Sequence, residues 1–249
     1  MNINQNAKLV YDSIYSYDIS ACAYNILKNY FYDLSDISFE NKQERLVKIG
    51  LIFRENKELM QIVNIETKKV IDFIIFENRL NEDDIIIRQF DGFFTPKKLK
   101  ICDISAVPFR LDEHYHKFII SINRNSYIGK SINGTYIYKG ISNLYDGMQK
   151  YLQKILDTIN FLNISGSFFS LKTIKEEILN SNDIYDFLIP KKKEDGFYVY
   201  MNGIGKIEIE PTVIPFLNVN EIDKYSYLNK YIYPFTKSVT SVFLNEGLK

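Results

Sequence analysis

The chain has 249 residues, of which 46% are hydrophobic and 25% are charged, so it can bury one large core or two modest ones. Its 31 basic and 31 acidic side chains cancel, which excludes a global basic field and leaves any binding of nucleic acid to local patches. Two cysteines, Cys22 and Cys102, exclude a disulfide framework, and the lack of a long apolar run predicts a soluble cytoplasmic protein without a membrane partner.

The first segment with a chemical signal ends at Asp18. The aromatic run from Val10 to Tyr17 favours a β-strand, and apolar residues recur at helical spacing soon after Asp18, with Ser20 as a possible N-cap. An aspartate between a strand and a helix lies at the rim of a sheet, where metal ligands and catalytic acids are common. A capping or turn role for Asp18 is the alternative.

The next segments predict helices followed by a hairpin. Residues 41–53 and 57–78 show helical periodicity. Residues 85–95 form the strongest strand signal in the chain, and Asp91-Gly92 lies between two apolar runs within it. A pair of this type favours a tight turn, so Asp91 is expected in a turn or bulge between two strands.

The middle of the chain is basic and rich in strand signals. Between Asp91 and Lys154 there are ten Lys or Arg residues against five Asp or Glu residues. A strand is predicted over 114–122, and two short strands joined by a turn at 131–134 are predicted over 123–141. His114 and His116 share a strand face, but no third residue that would complete a metal site is evident.

From residue 144 the pattern becomes mostly helical. Helices are predicted over 145–162 and 171–179, a hairpin across Asn202-Gly203, and a final amphipathic segment over 222–244 that Pro234 interrupts. The sequence therefore predicts an α+β fold, in which an antiparallel sheet with packed helices (1–143) precedes a mostly helical region (144–249).

The order of these segments resembles the palm of family B DNA polymerases. The segment from Asp18 to Leu27 is similar to the first polymerase motif, an aspartate followed by a tyrosine and paired aliphatics at the start of a helix. The segment from Arg88 to Phe94 is similar to the hairpin that carries the second catalytic aspartate. Asn123 to Tyr127, with Lys139-Gly140, resembles the later Lys-x-Tyr strand and Lys-Gly pair, and 222–234 resembles a run in the polymerase thumb.

This resemblance implies an antiparallel palm-like domain over 1–143, in which 41–78 are fingers-like helices, and a thumb-like domain over 144–249. It implies a nucleotidyltransferase that extends a primer on a template, with DNA as the expected nucleic acid, nucleoside triphosphates as substrates and two magnesium ions as cofactor. DNA replication is the setting that the resemblance implies. The composition, which is rich in Ile, Asn, Lys, Tyr and Phe and lacks Trp, separately suggests a phage or bacterial source.

The resemblance also assigns roles to individual residues. Asp18 and Asp91 are the expected catalytic metal ligands, together with the carbonyl group of Ile19. The expected nucleotide-binding residues are Tyr24, Arg45, Lys48 and Arg54. The expected primer-template contacts are Arg124, Tyr127 and Lys139.

The sequence departs from the family pattern in several places. Tyr24 falls one residue later than the tyrosine that discriminates between sugars, the hairpin has Phe-Asp-Gly in place of Asp-x-Asp, and Asn125 replaces the Lys of Lys-x-Tyr. The conserved fingers helix of the family has no match. Two alternatives therefore stay open: a palm-shaped, non-catalytic nucleic-acid-binding subunit that works with a partner chain, and an unrelated α+β interaction protein.

Overall fold

The computed structural model of the chain describes residues 1–8, 10–29, 33–37, 41–100, 107–121, 125–141, 146–159, 164–191 and 195–236. It confirms the predicted α+β class, with antiparallel strands and packed helices. The chain forms two compact units, one containing Met1–Ala7 and Ile14–His114 and the other containing Lys8–Ser13 and Tyr115–Lys249. The predicted division into palm-like and thumb-like domains after residue 143 stays a prediction.

Groups of consecutive strands and groups of consecutive helices follow one another along the chain. The strands are β1 (Asn2–Ile3), β2 (Val10–Tyr11), β3 (Ile14–Ile19), β4 (Ile87–Arg88), β5 (Gly92–Thr95), β6 (Phe109–Ser121), β7 (Ser126–Ser131), β8 (Tyr136–Lys139), β9 (Ile189–Pro190), β10 (Phe197–Met201) and β11 (Gly205–Ile209). The α-helices are α1 (Cys22–Asn29), α2 (Lys42–Glu55), α3 (Lys57–Glu77), α4 (Asp146–Thr158), α5 (Ile164–Asn180) and α6 (Lys224–Tyr227).

The sheet of the first unit has the strand order β1-β4-β5-β3, with the beginning of β6 beside β3. The hairpin predicted over 85–95 is confirmed, because β4 and β5 pair in antiparallel fashion across a turn that contains Asp91. The Gln89 N–H closes this turn by donating to the Gly92 carbonyl at 2.9 Å. The strand that precedes Asp18 and the strand that follows Asp91 are therefore neighbours.

The helices of the first unit match the periodicity of the sequence. Helices α2 and α3 confirm the helices predicted over 41–53 and 57–78. The Asn41 side chain caps α2 by accepting from the Glu44 N–H, and Asn56 caps α3 by accepting from the N–H groups of Glu58 and Leu59. These caps satisfy amide groups that have no partner within the helix.

Aromatic rings of the sheet and aliphatic side chains of the helices form one buried cluster in the first unit. The Tyr17 and Phe93 rings each lie 5.8 Å from the Phe109 ring, in stacked geometry. Ile26 of α1 and Ile74 of α3 belong to the same buried cluster and are at most 1% exposed. Burial of side chains of this size stabilises the unit by about 1.5–3 kcal/mol each.

The second unit contains β2, the end of β6, β7 and β8, and a separate sheet of β9, β10 and β11. The β7–β8 and β10–β11 hairpins confirm the turns predicted at 131–134 and at Asn202-Gly203. Helix α4 confirms the helix predicted over 145–162, and α5 begins at Ile164, seven residues before the predicted start at 171.

One buried carboxylate connects the helices of the second unit. Asp186 is 2% exposed, and its carboxylate accepts hydrogen bonds from Lys150, from the Tyr151 hydroxyl at 2.8 Å and from the Ser181 hydroxyl at 2.7 Å. Three donors satisfy this carboxylate, so its burial is compatible with a stable core.

Among the residues that the structure describes, no helix combines the length and the apolar composition that a transmembrane segment needs.

Gly92 is the position where β5 tolerates no side chain. A Cβ atom there would lie 2.1 Å from the Tyr17 carbonyl oxygen and 3.0 Å from the Asp18 Cα, both of which are backbone atoms.

Gly92→Ala should therefore lower the free energy of unfolding by about 3 kcal/mol, as measured by urea denaturation. The matched control is Gly50→Ala in α2, where the added Cβ meets no atom within 4 Å. This change should raise the free energy of unfolding by about 1 kcal/mol. Equal effects of the two substitutions would contradict the close approach of β5 to β3.

Candidate active site

The pairing of β3 with β5 brings the two predicted catalytic aspartates to the same end of two adjacent strands, with Asp18 in β3 and Asp91 in the turn that precedes β5. Asp18 lies opposite Gly92 in the antiparallel register, and the next residue, Ile19, donates its N–H to the Asp91 carbonyl at 2.8 Å. The two aspartates are therefore close neighbours at one end of the β3–β5 pair. Their charges interact, since the Asp18 carboxylate contributes to a raised pKa of Asp91.

Asp91 is half-buried in the turn that precedes β5. Partial burial is the main cause that raises the pKa of its carboxyl, and the negative charge of Asp18 raises it further. A hydrogen bond to the backbone amide of Asp91 itself and the positive charge of Lys42 oppose this rise. Desolvation and a neighbouring like charge therefore both oppose ionisation of Asp91, and perturbations of this kind are common at functional sites.

Asp18 has a cation beside it. The Arg110 Nε donates to the Asp18 Oδ1 at 3.3 Å, and the two side chains are 59% and 32% exposed. Asp112 lies two residues further along β6. Partial desolvation and the negative charge of Asp18 together raise the pKa of its carboxyl. Electrostatic interactions therefore connect Asp18 with two further aspartates, Asp91 and Asp112, and the cations Arg110 and Lys42 act on the same group.

A sharp turn leads from β3 into α1. Ala21 has a φ of 45°, in the left-handed region that residues with a side chain rarely adopt, and α1 begins at the next residue, Cys22. The Cys22 thiol lies 3.1 Å from the Thr67 hydroxyl, which connects α1 to α3. Burial, with smaller contributions from the charges of Asp91 and Asp18, raises the pKa of Cys22 to about 11. Cys22 therefore stays a neutral thiol at the rear of the site.

The third predicted metal ligand, the carbonyl group of Ile19, belongs to a residue that is 1% exposed. Within the described parts of the chain, no three or more His, Cys, Asp or Glu residues are grouped closely enough to hold a metal ion. His114 is engaged elsewhere, because its ring stacks on Tyr15 with a centroid distance of 4.2 Å. Asp18 and Asp91 are therefore the candidate ligands that the described part of this region offers, and metal binding by them stays a prediction.

The predicted nucleotide-binding residues lie on α1 and α2. Tyr24 is half-buried against the core of the first unit, and Lys48 forms ion pairs with Glu44 at 3.0 Å and Asp36 at 3.7 Å. Arg45 and Lys48 are three residues apart and share a helix face, but Arg54 lies nine residues after Arg45 and points to the opposite side of α2. Nucleotide binding by all four residues stays a prediction.

Two of the predicted primer-template residues lie in the second unit. Tyr127 and Lys139 are cross-strand partners on β7 and β8. Tyr127 is 4% exposed and its ring stacks on Phe118 with a centroid distance of 4.9 Å, whereas Lys139 is exposed. Arg124 lies outside the described residues. Of the two that the structure describes, Lys139 is the exposed side chain, and contact of either with a primer-template stays a prediction.

Three charged residues near Asp18 and Asp91 have no counterpart in the predictions from the sequence: Lys42, Arg110 and Asp112. Arg110 and Asp112 could have been found from the alternation of apolar and charged residues between Phe109 and Asp112, which is typical of a half-buried strand. The pairing of β6 with β3 could not have been predicted, because no local signal in the sequence specifies which strands are neighbours.

Comparisons with known proteins show a likeness of fold. The family B DNA polymerase from the hyperthermophilic archaeon Pyrobaculum calidifontis superposes on this chain with a TM-score of 0.53 and 12% sequence identity. The match covers 97% of this chain and 46% of the polymerase, so this chain spans less than half of that protein's length. No protein-family model and no curated protein matches the sequence. The likeness at this identity concerns the polymerase-like fold alone.

The electrostatics of Asp91 predict a stabilising substitution. A carboxyl whose pKa is raised by folding binds its proton more tightly in the folded state. Its favourable contribution to the free energy of unfolding is therefore present at low pH and is lost as the pH rises through the folded-state pKa. Asp91→Asn should therefore raise the melting temperature at pH 7, and this gain should shrink near pH 3, where Asp91 is protonated. Thermal unfolding at both pH values, with Asp72→Asn on the exposed face of α3 as control, measures the effect. A melting temperature that falls at pH 7 would contradict it.

Proposed function

We propose that this chain is a polymerase-like nucleotidyltransferase, which extends a DNA primer on a template by two-metal phosphoryl transfer. The observation that carries the proposal is the β3–β5 register, which makes Asp18 and Asp91 neighbours at one end of the sheet. The fold likeness to a family B DNA polymerase over 97% of the chain supports it. The order of the segments in the sequence, with a strand, helices and a hairpin before the second aspartate, points in the same direction.

The residues at this site fit magnesium. Mg²⁺ is usually bound by one or two carboxylates together with substrate phosphates and water, rather than by a complete cage of protein ligands. Asp18 at the end of β3 and Asp91 in the turn before β5 provide two carboxylates, and desolvation together with the charge of Asp18 raises the pKa of Asp91. Two bound magnesium ions would activate the primer 3′-hydroxyl group and stabilise the leaving pyrophosphate.

The protein itself contributes position and charge. Gly92 allows β5 to approach β3, which fixes the backbone that carries both aspartates. Lys42, the first residue of α2, places positive charge near Asp91 and is a candidate to attract a triphosphate, together with Arg45. Lys139, exposed at the end of β8, is the proposed contact to the primer-template backbone, where a lysine positions the nucleic acid without reading its sequence.

A second function is favoured by the contact of Arg110 with Asp18 and by the single aspartate of the hairpin. In this alternative the chain is a nucleic-acid-binding subunit without catalysis, and Arg110 neutralises an aspartate that holds no metal. Binding to a primer-template that weakens with salt, with no incorporation of nucleotides in the presence of magnesium, would favour this alternative.

The decisive experiment is extension of a labelled primer by the purified protein with Mg²⁺ and deoxynucleoside triphosphates. Asp18→Asn and Asp91→Asn should each reduce the rate by about a hundredfold or more, because each removes charge that holds the metal ions. Asp72→Asn, which removes an exposed carboxylate that pairs with Arg88 at 2.6 Å, should leave the rate unchanged. Activity that survives both site substitutions would refute the assigned site, and a melting temperature of Asp91→Asn at or above that of the wild type separates loss of chemistry from loss of fold.

Binding of nucleic acid is tested separately. Lys139→Ala should weaken binding to a primer-template and reduce the slope of log K against log salt by about one, since one phosphate contact is lost. The control is Lys206→Ala in β11, whose ammonium group lies over the Tyr198 ring at 3.7 Å from the centroid. Fluorescence anisotropy at several salt concentrations measures both variants. If the two variants lose the same affinity, Lys139 has no specific contact.

A further inference from the structure

The contact between Arg110 and Asp18 has a defined geometry. The guanidinium Nε lies 3.3 Å from the Asp18 Oδ1, and the Arg110 side chain is 59% exposed. Strand alternation places this contact on the face of the sheet that lies opposite the core. Phe109 packs against Tyr17 in the core and the next residue, Arg110, projects to the other side, as Asp18 does after Tyr17. The arginine therefore reaches the aspartate across two neighbouring strands.

Arg110 occupies one oxygen of a carboxylate that a metal ion would need. A guanidinium group donates into the lone pairs of the carboxylate oxygens, and the same lone pairs coordinate a divalent cation. A divalent cation at Asp18 would also lie within a few ångströms of the positive charge of Arg110, which is unfavourable. Occupancy by Arg110 and occupancy by metal therefore oppose each other.

Asp112 is a second carboxylate on which the charge of Arg110 acts. Asp112 lies two residues after Arg110 on β6, and the Arg110 charge lowers the pKa of the Asp112 carboxyl against the larger effects of desolvation and Asp18. Asp112 thus offers the guanidinium a second partner on its own strand. Lys42 acts electrostatically on Asp91 and Asp112. Among the described residues, Arg110 is the cation that forms an ion pair with Asp18.

We propose that Arg110 is an internal counter-cation of Asp18, which a divalent cation must displace to bind at the site. The inference rests on the proposed function, because that function assigns metal binding to Asp18. An exposed ion pair contributes about 0.2–1 kcal/mol, so the competition is weak enough for a metal ion to win and strong enough to measure. Arg110 thereby balances the charge of the metal-free site and lowers its affinity for metal.

The test measures metal binding without nucleotide or nucleic acid. Mn²⁺ is titrated into the purified protein, and the electron paramagnetic resonance signal of free aqueous Mn²⁺ gives the bound fraction. Arg110→Met removes the charge and keeps an unbranched side chain of similar length. It should tighten Mn²⁺ binding by about two- to fivefold, which is the factor that corresponds to the free energy of an exposed ion pair.

Three further variants make the result specific. Arg110→Lys keeps a cation and should retain an affinity close to that of the wild type. Arg88→Met, which removes the exposed ion pair with Asp72 elsewhere in the first unit, should leave the affinity unchanged. Adding Asp18→Asn to Arg110→Met should abolish the gain. Circular dichroism confirms that each variant is folded.

The inference is overturned if Arg110→Met binds Mn²⁺ no more tightly than the wild type, if the gain survives Asp18→Asn, or if Arg88→Met produces an equal gain. It is also overturned if no variant binds Mn²⁺, since Arg110 then has no competitor. None of these outcomes depends on primer extension. A protein that binds Mn²⁺ in the expected order and incorporates no nucleotide would refute the proposed function alone.

Discussion

The close approach of Gly92 to the Tyr17 carbonyl is the contact on which the candidate site depends. A side chain at residue 92 would place its Cβ within 2.1 Å of that oxygen, so the register of β3 and β5 exists only because this residue is glycine. The same register pairs Phe93 with Tyr17, whose hydroxyl accepts the Leu99 N–H at 2.8 Å. One residue without a side chain thus aligns the hydrophobic core on one side and the two aspartates at the end of the strands.

The candidate site contains several negative charges, and bringing them together lowers the stability of the folded state. Asp91 and Asp112 both have raised pKa values, with desolvation as the main cause and the charge of Asp18 as a further one. Natural proteins tolerate such local conflicts where the groups serve binding or chemistry, and the rest of the core supplies the stability. Asp186 in the second unit shows the contrast, because its buried carboxylate is satisfied by three donors and has a structural role.

The sequence predicted the local elements well, because their signals are local. Helices α2 and α3 follow from apolar periodicity, and the β4–β5 hairpin follows from Asp91-Gly92 between two apolar runs. The position of Arg110 beside Asp18 could not be predicted, since it depends on the pairing of strands that are about 90 residues apart. The burial of Tyr127 could not be predicted either. Strand β7 is buried along most of its length, so no alternation of apolar and polar residues separates an inner face from an outer one.

Asn56 joins α2 and α3 without a loop, because it is both the C-cap of α2 and the N-cap of α3. An α-helix turns by about 100° per residue, so the orientation of everything after such a joint depends on the number of residues before it. One residue inserted or deleted in the last turn of α2 would rotate the stripe of Val63, Thr67, Ile71 and Ile74 away from the core that it now fills. The joint should therefore tolerate substitution far better than a change of length, and we expect insertions and deletions to be accommodated outside the two helices.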